Sequence, residues 1–183
     1  MTARALNVAM IGYGFMGAAH SQAWRVAPRF FDLPRDPVLS VIVGRDAERV
    51  EAARAKFGWN EAATDWREVI ERDDIDVVDI CSPGSSHVEI AIAALAAGKH
   101  VLCEKPLANT VAEAEQMASA ATAAAEHGVF AMVGFSYRRV PAITFARDLL
   151  ASGRLGTLRQ VRAQYLQDWL SDAEGPMTWR LDK

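Results

Sequence analysis

Apolar runs punctuate the chain at Ala5–Ile11, Val38–Val43, Ile75–Cys81, His100–Cys103 and Val129–Phe135. Between them apolar residues recur at helical spacing, as in Val88, Ile90, Ala91 and Ala94. Short continuous runs alternating with helical stretches predict parallel strands covered on both faces, an α/β doubly wound sheet. The runs are read as the first, second, fourth, fifth and sixth strands; the third is given no boundaries. Helices are predicted over Phe15–Val26, over Ala47–Phe57 behind an Asp46 cap, and over shorter and longer stretches ending at Gly98 and Gly128. Three capping boxes open helices, in Thr64–Glu68, at Ser86 with Glu89 and at Thr110 with Glu113. The segment Pro28–Pro37 holds three prolines and is predicted to be irregular. Its Phe30 and Phe31 suit either a packed surface loop or a contact with substrate or another subunit.

The pattern changes at Ser136. A helix led by Pro141 carries Ile143, Ala146, Leu149 and Leu150 on one face and stops at Gly153. Leu158–Leu166 then alternates in part, as a half-exposed strand does. Such a strand needs a sheet to join, so residues 136–183 are expected to open a second, truncated α+β domain whose remainder is missing.

Composition narrows the class of protein. The chain has 183 residues, 51% hydrophobic and 23% charged, with a net charge of -3. These are the proportions of a soluble globular protein, without the basic surplus that nucleic acid or a membrane surface attracts. No apolar run approaches the roughly 20 residues that span a bilayer, and no signal peptide is evident. Cys81 and Cys103 fall in predicted strands without metal-ligand spacing, so they are expected to be reduced thiols of a cytoplasmic protein, with no metal bound.

The chemistry-bearing stretch is Gly12-Tyr13-Gly14-Phe15-Met16-Gly17, three glycines at G-x-G-x-x-G spacing between a strand and a helix. In that context the first glycine permits a tight turn, the second lets the backbone approach a pyrophosphate, and the third lets helix and sheet pack closely. The helix N-terminus then offers unpaired N–H groups to the diphosphate. The NAD form of this fingerprint ends its second strand in an acidic residue that binds the ribose hydroxyls. Gly44 stands there instead, followed by Arg45 and, about a turn on, Arg49. Two guanidinium groups suit a 2′-phosphate and favour NADP over NAD. Alternatively Arg45 stacks over adenine while Asp46 caps the helix. Two further turns, Ser82-Pro83-Gly84-Ser85-Ser86-His87 and Glu104-Lys105-Pro106, are predicted at the carboxyl edge of the sheet, where open α/β folds bind ligands.

Three of these stretches together resemble the glucose-fructose oxidoreductase/inositol dehydrogenase family, Gfo/Idh/MocA. They are Gly12-x-Gly14-x-x-Gly17-x-x-His20, Ser82-Pro83-x-x-x-His87, and the run from Gly98 through Glu104-Lys105-Pro106 to Ala108. The likeness continues through Gly134–Ala142 and Trp179-Arg180. Tyr165–Trp169 and the ending Trp179–Lys183 look most like the family's sugar dehydrogenases, including the levoglucosan type.

The resemblance implies a Rossmann dinucleotide-binding domain over residues 1–135 and a substrate and oligomerisation domain from 136. It implies hydride transfer between a nicotinamide, NAD or NADP, and a secondary alcohol of a sugar, cyclitol or related polyol, by a homo-oligomeric enzyme. Lys105 is then the catalytic group beside the substrate hydroxyl, whose proton must leave as hydride does. Glu104 and His87 are expected on the nicotinamide side, Trp179 and Arg180 over the cofactor, and Tyr137, Arg138, Gln167 and Asp168 against substrate. Each has a plainer reading: an ion pair for Glu104, a helix start for His87, core packing for Trp179, a solvated charge for one of Arg138 and Arg139, and loop capping for Gln167 and Asp168. Two other functions stay open, NAD-assisted glycoside cleavage and a non-catalytic dinucleotide-binding regulator. Family members continue into an Asp-x-x-x-His stretch that supplies further catalytic groups, and this sequence stops at Lys183.

Overall fold

The computed structural model describes residues 5–168 together with Ser171, Asp172 and Gly175. Contacts divide the chain into two compact units, the break falling after Ser136. In the first unit six parallel strands stand in the order β3-β2-β1-β4-β5-β6. They are β1 (Leu6–Ile11), β2 (Pro37–Val43), β3 (Glu61–Ala63), β4 (Val77–Ile80), β5 (His100–Cys103) and β6 (Ala131–Val133). The intervening helices are α1 (Phe15–Phe30), α2 (Ala47–Phe57), α3 (Trp66–Ile70), α4 (His87–Ala96) and α5 (Val111–Ala125). Strand order reverses between β1 and β4, the switch point at which doubly wound sheets form a ligand crevice.

Alternation along the central strands builds two cores. Ala9, Ile11, Val41, Val43, Val78 and Ile80 face α3, α4 and α5, where Val69, Ile90, Ala94 and Met117 meet them. Val8, Met10, Ile42 and Val77 face the other side, against Val50, Ala53 and Trp59. Each fully buried Val or Ile contributes about 1.5–3 kcal/mol relative to exposure. The Trp59 indole donates to Ser21 Oγ at 2.9 Å, and Ser21 donates to the Gly17 carbonyl at 2.7 Å, so the second core grips the start of α1.

Several expectations need correction. Helix α1 runs on to Phe30 with Pro28 inside its last turn, where the ring offers no N–H to the helix ladder and the helix ends within three residues. Phe30 and Phe31 are both exposed. The third strand is only three residues on the sheet edge, too short to leave a periodic signal. Of the three capping boxes, the structure closes the one at Thr110 and Glu113. At the second, Ser86 lends no side-chain cap; its hydroxyl bonds Ser82 Oγ and the Pro83 carbonyl, while Glu89 pairs with Arg67. At the first, Asp65 alone accepts, from the Arg67 backbone N–H.

In the second unit α6 (Pro141–Ala151) is present and ends before Gly153. Leu158–Leu166 is not a strand; it is irregular and exposed. A strand persists only by pairing, and the described residues of this unit hold no other strand for it to meet.

Candidate functional site

Backbone hydrogen bonds continue past the strand ends and line up the edge turns. Gly12 N–H donates to Val43 O (2.9 Å), Cys81 N–H to Ile11 O (2.8 Å), Glu104 N–H to Ile80 O (2.9 Å) and Gly134 N–H to Cys103 O (2.8 Å). The glycine turn, the Ser82 turn and Glu104-Lys105 are therefore set side by side at the carboxyl edge.

The three glycines of the turn meet different surroundings. Gly12 has φ +105°, and a Cβ on it would lie 2.7 Å from the backbone of Cys81 and Ser82. A Cβ on Gly17 would lie 2.2 Å from the Gly12 carbonyl oxygen, so α1 rests directly on the turn. Gly14 faces open space, with nothing within 4 Å of such an atom. It is the N-cap of α1, and the helix begins with no side-chain cap and no acidic residue in its first turn. The first N–H groups are thus left to an anion. Phe15 is 86% exposed beside them and Met16 half-buried. This cradle fits a diphosphate.

At the end of β2, a Cβ on Gly44 would fall 1.9 Å from Cε1 of Tyr13 and 2.4 Å from its Cδ1. Tyr13 packs against the second core and holds that space. Arg45 and Arg49 are exposed; Asp46 caps α2 through the Arg49 N–H (3.0 Å) and lies 3.6 Å from the Arg49 guanidinium.

His87 is buried. Its ring nitrogens lie 3.0 Å from the Pro106 carbonyl and 2.9 Å from that of Ser82, so it ties the β4 turn to the Lys105-Pro106 turn, which holds a cis peptide bond. Pro83 leads the 3-10 turn Gly84–Ser86. Lys105 is exposed at the edge, and Glu104 behind it is buried. Glu104 accepts the Lys105 backbone N–H at 3.1 Å.

Sequence reasoning missed what Glu104 also touches. His20 in α1 reaches Glu104 through Nε2 at 3.2 Å and Asp79 through Nδ1 at 3.0 Å. Asp79 is 0% exposed in β4 and also accepts the Trp24 indole N–H at 2.7 Å. Burial opposes a charged ring at His20, but hydrogen bonding to Asp79 and the charges of Asp79 and Glu104 outweigh it and raise its pKa. Burial likewise pushes the Cys81 thiol up, and that of Cys103 up to about 12. An aspartate inside an apolar strand was the available signal, since a buried carboxylate demands a partner.

In the second unit the Tyr137 hydroxyl donates to Tyr165 Oη at 3.2 Å, which also receives Gln167 Nε2 at 3.0 Å. Arg138 and Asp168 are exposed; the carbonyl of Asp168 caps the turn to Ser171. Tyr165, named from sequence only within the Tyr165–Trp169 stretch, was given no site role there. Trp179 and Arg180 lie outside the described residues.

An uncapped helix on a glycine turn at the switch point of a parallel sheet defines a Rossmann-type dinucleotide-binding domain. Residues 6–135 match the model of the Gfo/Idh/MocA oxidoreductase family, NAD-binding Rossmann fold, and the chain belongs to that family. Its first unit is accordingly a domain for NAD or NADP. An oxidoreductase domain protein from Kribbella flavida is 67% identical with a TM-score of 0.94, over 98% of this chain and 48% of that one. Levoglucosan dehydrogenase of Pseudarthrobacter phenanthrenivorans is 44% identical over 97% of this chain and 45% of its own length. A levoglucosan dehydrogenase structure in complex with NADH superposes with a TM-score of 0.91, at 44% identity over 97% of this chain and 47% of that one. The chain thus spans about half the length of these relatives. Among the described residues no helix is long and apolar enough to cross a membrane.

Proposed function

We propose that the chain carries the cofactor half of a NAD(P)-dependent oxidoreductase acting on a secondary alcohol of a sugar, cyclitol or related polyol. The observation that carries this reading is the shared edge: the open Gly14 cradle after β1 and the exposed Lys105 after β5 lie at the same end of one sheet, flanking the Ser82 turn of β4. The levoglucosan dehydrogenase relative supports a sugar as substrate. When bound, the nicotinamide supplies the hydride acceptor. The chain's residues do the rest: Gly12, Gly14 and Gly17 seat the diphosphate, Ser82, Pro83 and His87 shape the adjoining turn, and Glu104 lies on the nicotinamide side. Lys105 hydrogen-bonds the substrate hydroxyl and draws off its proton as hydride leaves.

The β2 end favours NADP. Gly44 offers no carboxylate to the ribose, and Arg45 and Arg49 are exposed beside it to take a 2′-phosphate. The second unit is assigned to a substrate and oligomerisation domain in which Tyr137, Arg138, Gln167 and Asp168 are the candidate polyol-binding residues; Trp179 and Arg180, the expected cofactor contacts, lie outside the described residues. The apolar groove of Ile143, Ala146, Leu150 and Leu158 in this unit supports burial by further protein, in keeping with a homo-oligomer. Two free cysteines and a net charge of -3 support a cytoplasmic protein without nucleic-acid or membrane partners.

The full-length protein, offered a panel of sugars and cyclitols with NAD or NADP, is expected to accumulate reduced nicotinamide. Binding of neither dinucleotide overturns this reading. Binding with cleavage of an added glycoside but no net reduction favours glycoside cleavage, and binding without turnover favours a regulator.

A further inference from the structure

His20 sits in the second turn of α1 with each ring nitrogen against a carboxyl group, Nδ1 at Asp79 and Nε2 at Glu104. A neutral imidazole has one N–H and one lone pair, so with both carboxyl groups ionised the two contacts are hydrogen bonds only when the ring holds two protons. Glu104 uses its other oxygen, Oε2, to accept the Lys105 backbone N–H. Its Oε1 lies over Gly134, where a Cβ would come within 2.6 Å, so the carboxylate occupies space that a larger residue at 134 would need. One side chain therefore joins the helix that begins at Gly14 to the turn that presents Lys105.

We propose that His20 is a positioning residue for the hydride-transfer end of the site: it aims the Glu104 carboxylate at the Lys105 backbone and so fixes the turn that meets the nicotinamide half of the dinucleotide. This rests on the function proposed above. The groups facing the ring are Asp79 from β4, with Cys81 and Trp24 bonded to Asp79, and Glu104 beyond β5, with Cys103 before it. The two thiols are pushed too high to titrate near neutrality. The raised His20 pKa leaves the ring as the group whose proton is lost as pH rises. Without it, two buried carboxyl groups face one another with no cation between them, and the arrangement that aims Glu104 is lost.

The test compares a whole ligand with one that lacks only the nicotinamide ring in the full-length protein: NADH or NADPH, whichever binds tighter, against ADP-ribose or its 2′-phosphate. His20→Gln is expected to weaken the reduced dinucleotide roughly tenfold, the scale of one charge-assisted hydrogen bond, and to leave the ring-less ligand within about twofold. Wild-type affinity for the reduced dinucleotide is expected to fall as pH rises through the His20 pKa, and the variant's profile to be flat. Equal weakening of both ligands, or an unchanged affinity and pH profile, overturns the proposal. Should His20→Gln fail to fold, Glu104→Gln carries the same test, with the same split expected and equal loss overturning it. A wild-type protein that binds ADP-ribose and neither dinucleotide more tightly overturns this proposal while leaving the glycine cradle standing; one that binds none of them overturns both.

Discussion

The ring of Tyr13 stands where a side chain at position 44 would begin, so the two positions cannot both carry a large group. Gly44 is thus fixed by its neighbour across the glycine turn as well as by any ligand. Gly44→Asp alone is expected to displace Tyr13 and weaken both dinucleotides. Tyr13→Gly combined with Gly44→Asp is expected to restore binding and shift preference toward NADH, since the carboxylate then meets the ribose hydroxyls. Arg45→Asp is expected to weaken NADPH about tenfold more than NADH, the worth of one charged hydrogen bond. Fluorescence titrations with both dinucleotides check all three, and equal affinities unaffected by Arg45→Asp contradict the NADP preference.

Gly14 and Gly17 separate ligand binding from folding. A methyl at Gly17 meets the Gly12 carbonyl, so Gly17→Ala is expected to cost about 1–3 kcal/mol of stability by overpacking. A methyl at Gly14 meets nothing within 4 Å in the protein. Gly14→Ala is expected to leave stability within about 0.5 kcal/mol while weakening the dinucleotide. Urea denaturation and binding titration of each variant measure the two effects.

Lys105→Met keeps the aliphatic stem and removes the amine. Dinucleotide affinity is expected to hold, while turnover of a responsive polyol falls by roughly 10²–10⁴, the range for a general acid–base group. Undiminished turnover removes Lys105 from the reaction.

The His20 ion pairs give the fold a pH signature. The folded-state pKa lies above that of a free imidazole, so the stabilisation is complete below about pH 6.5. It is lost as pH rises through the raised value. Thermal midpoints of wild type and His20→Gln are expected to differ most at mildly acidic pH and to converge in alkali. A gap that widens with pH contradicts the arrangement.

Much of the fold was legible because its signals are local. The apolar runs, the Asp46 cap and the Thr110–Glu113 box each lie within a few residues, and α2 spans Ala47–Phe57 as its pattern predicts. What was hidden depends on distant neighbours. His20 lies 59 residues from Asp79 and 84 from Glu104, and only the sheet order brings them together. The alternation at Leu158–Leu166 reports a face and not a partner, and the described residues of the second unit hold no strand for it to pair with. Ser86 and Glu89 had the spacing of a box, but a hydroxyl at Ser82 and a guanidinium at Arg67 offered better partners.

Helix α1 starts on a glycine that brings no side-chain oxygen to its first N–H groups. Most helices finish their own ends; this one leaves the job to whatever anion settles there. The visiting diphosphate becomes the missing last piece of secondary structure, and its arrival should stiffen α1 and, through the Ser21–Trp59 bond, the core beneath it.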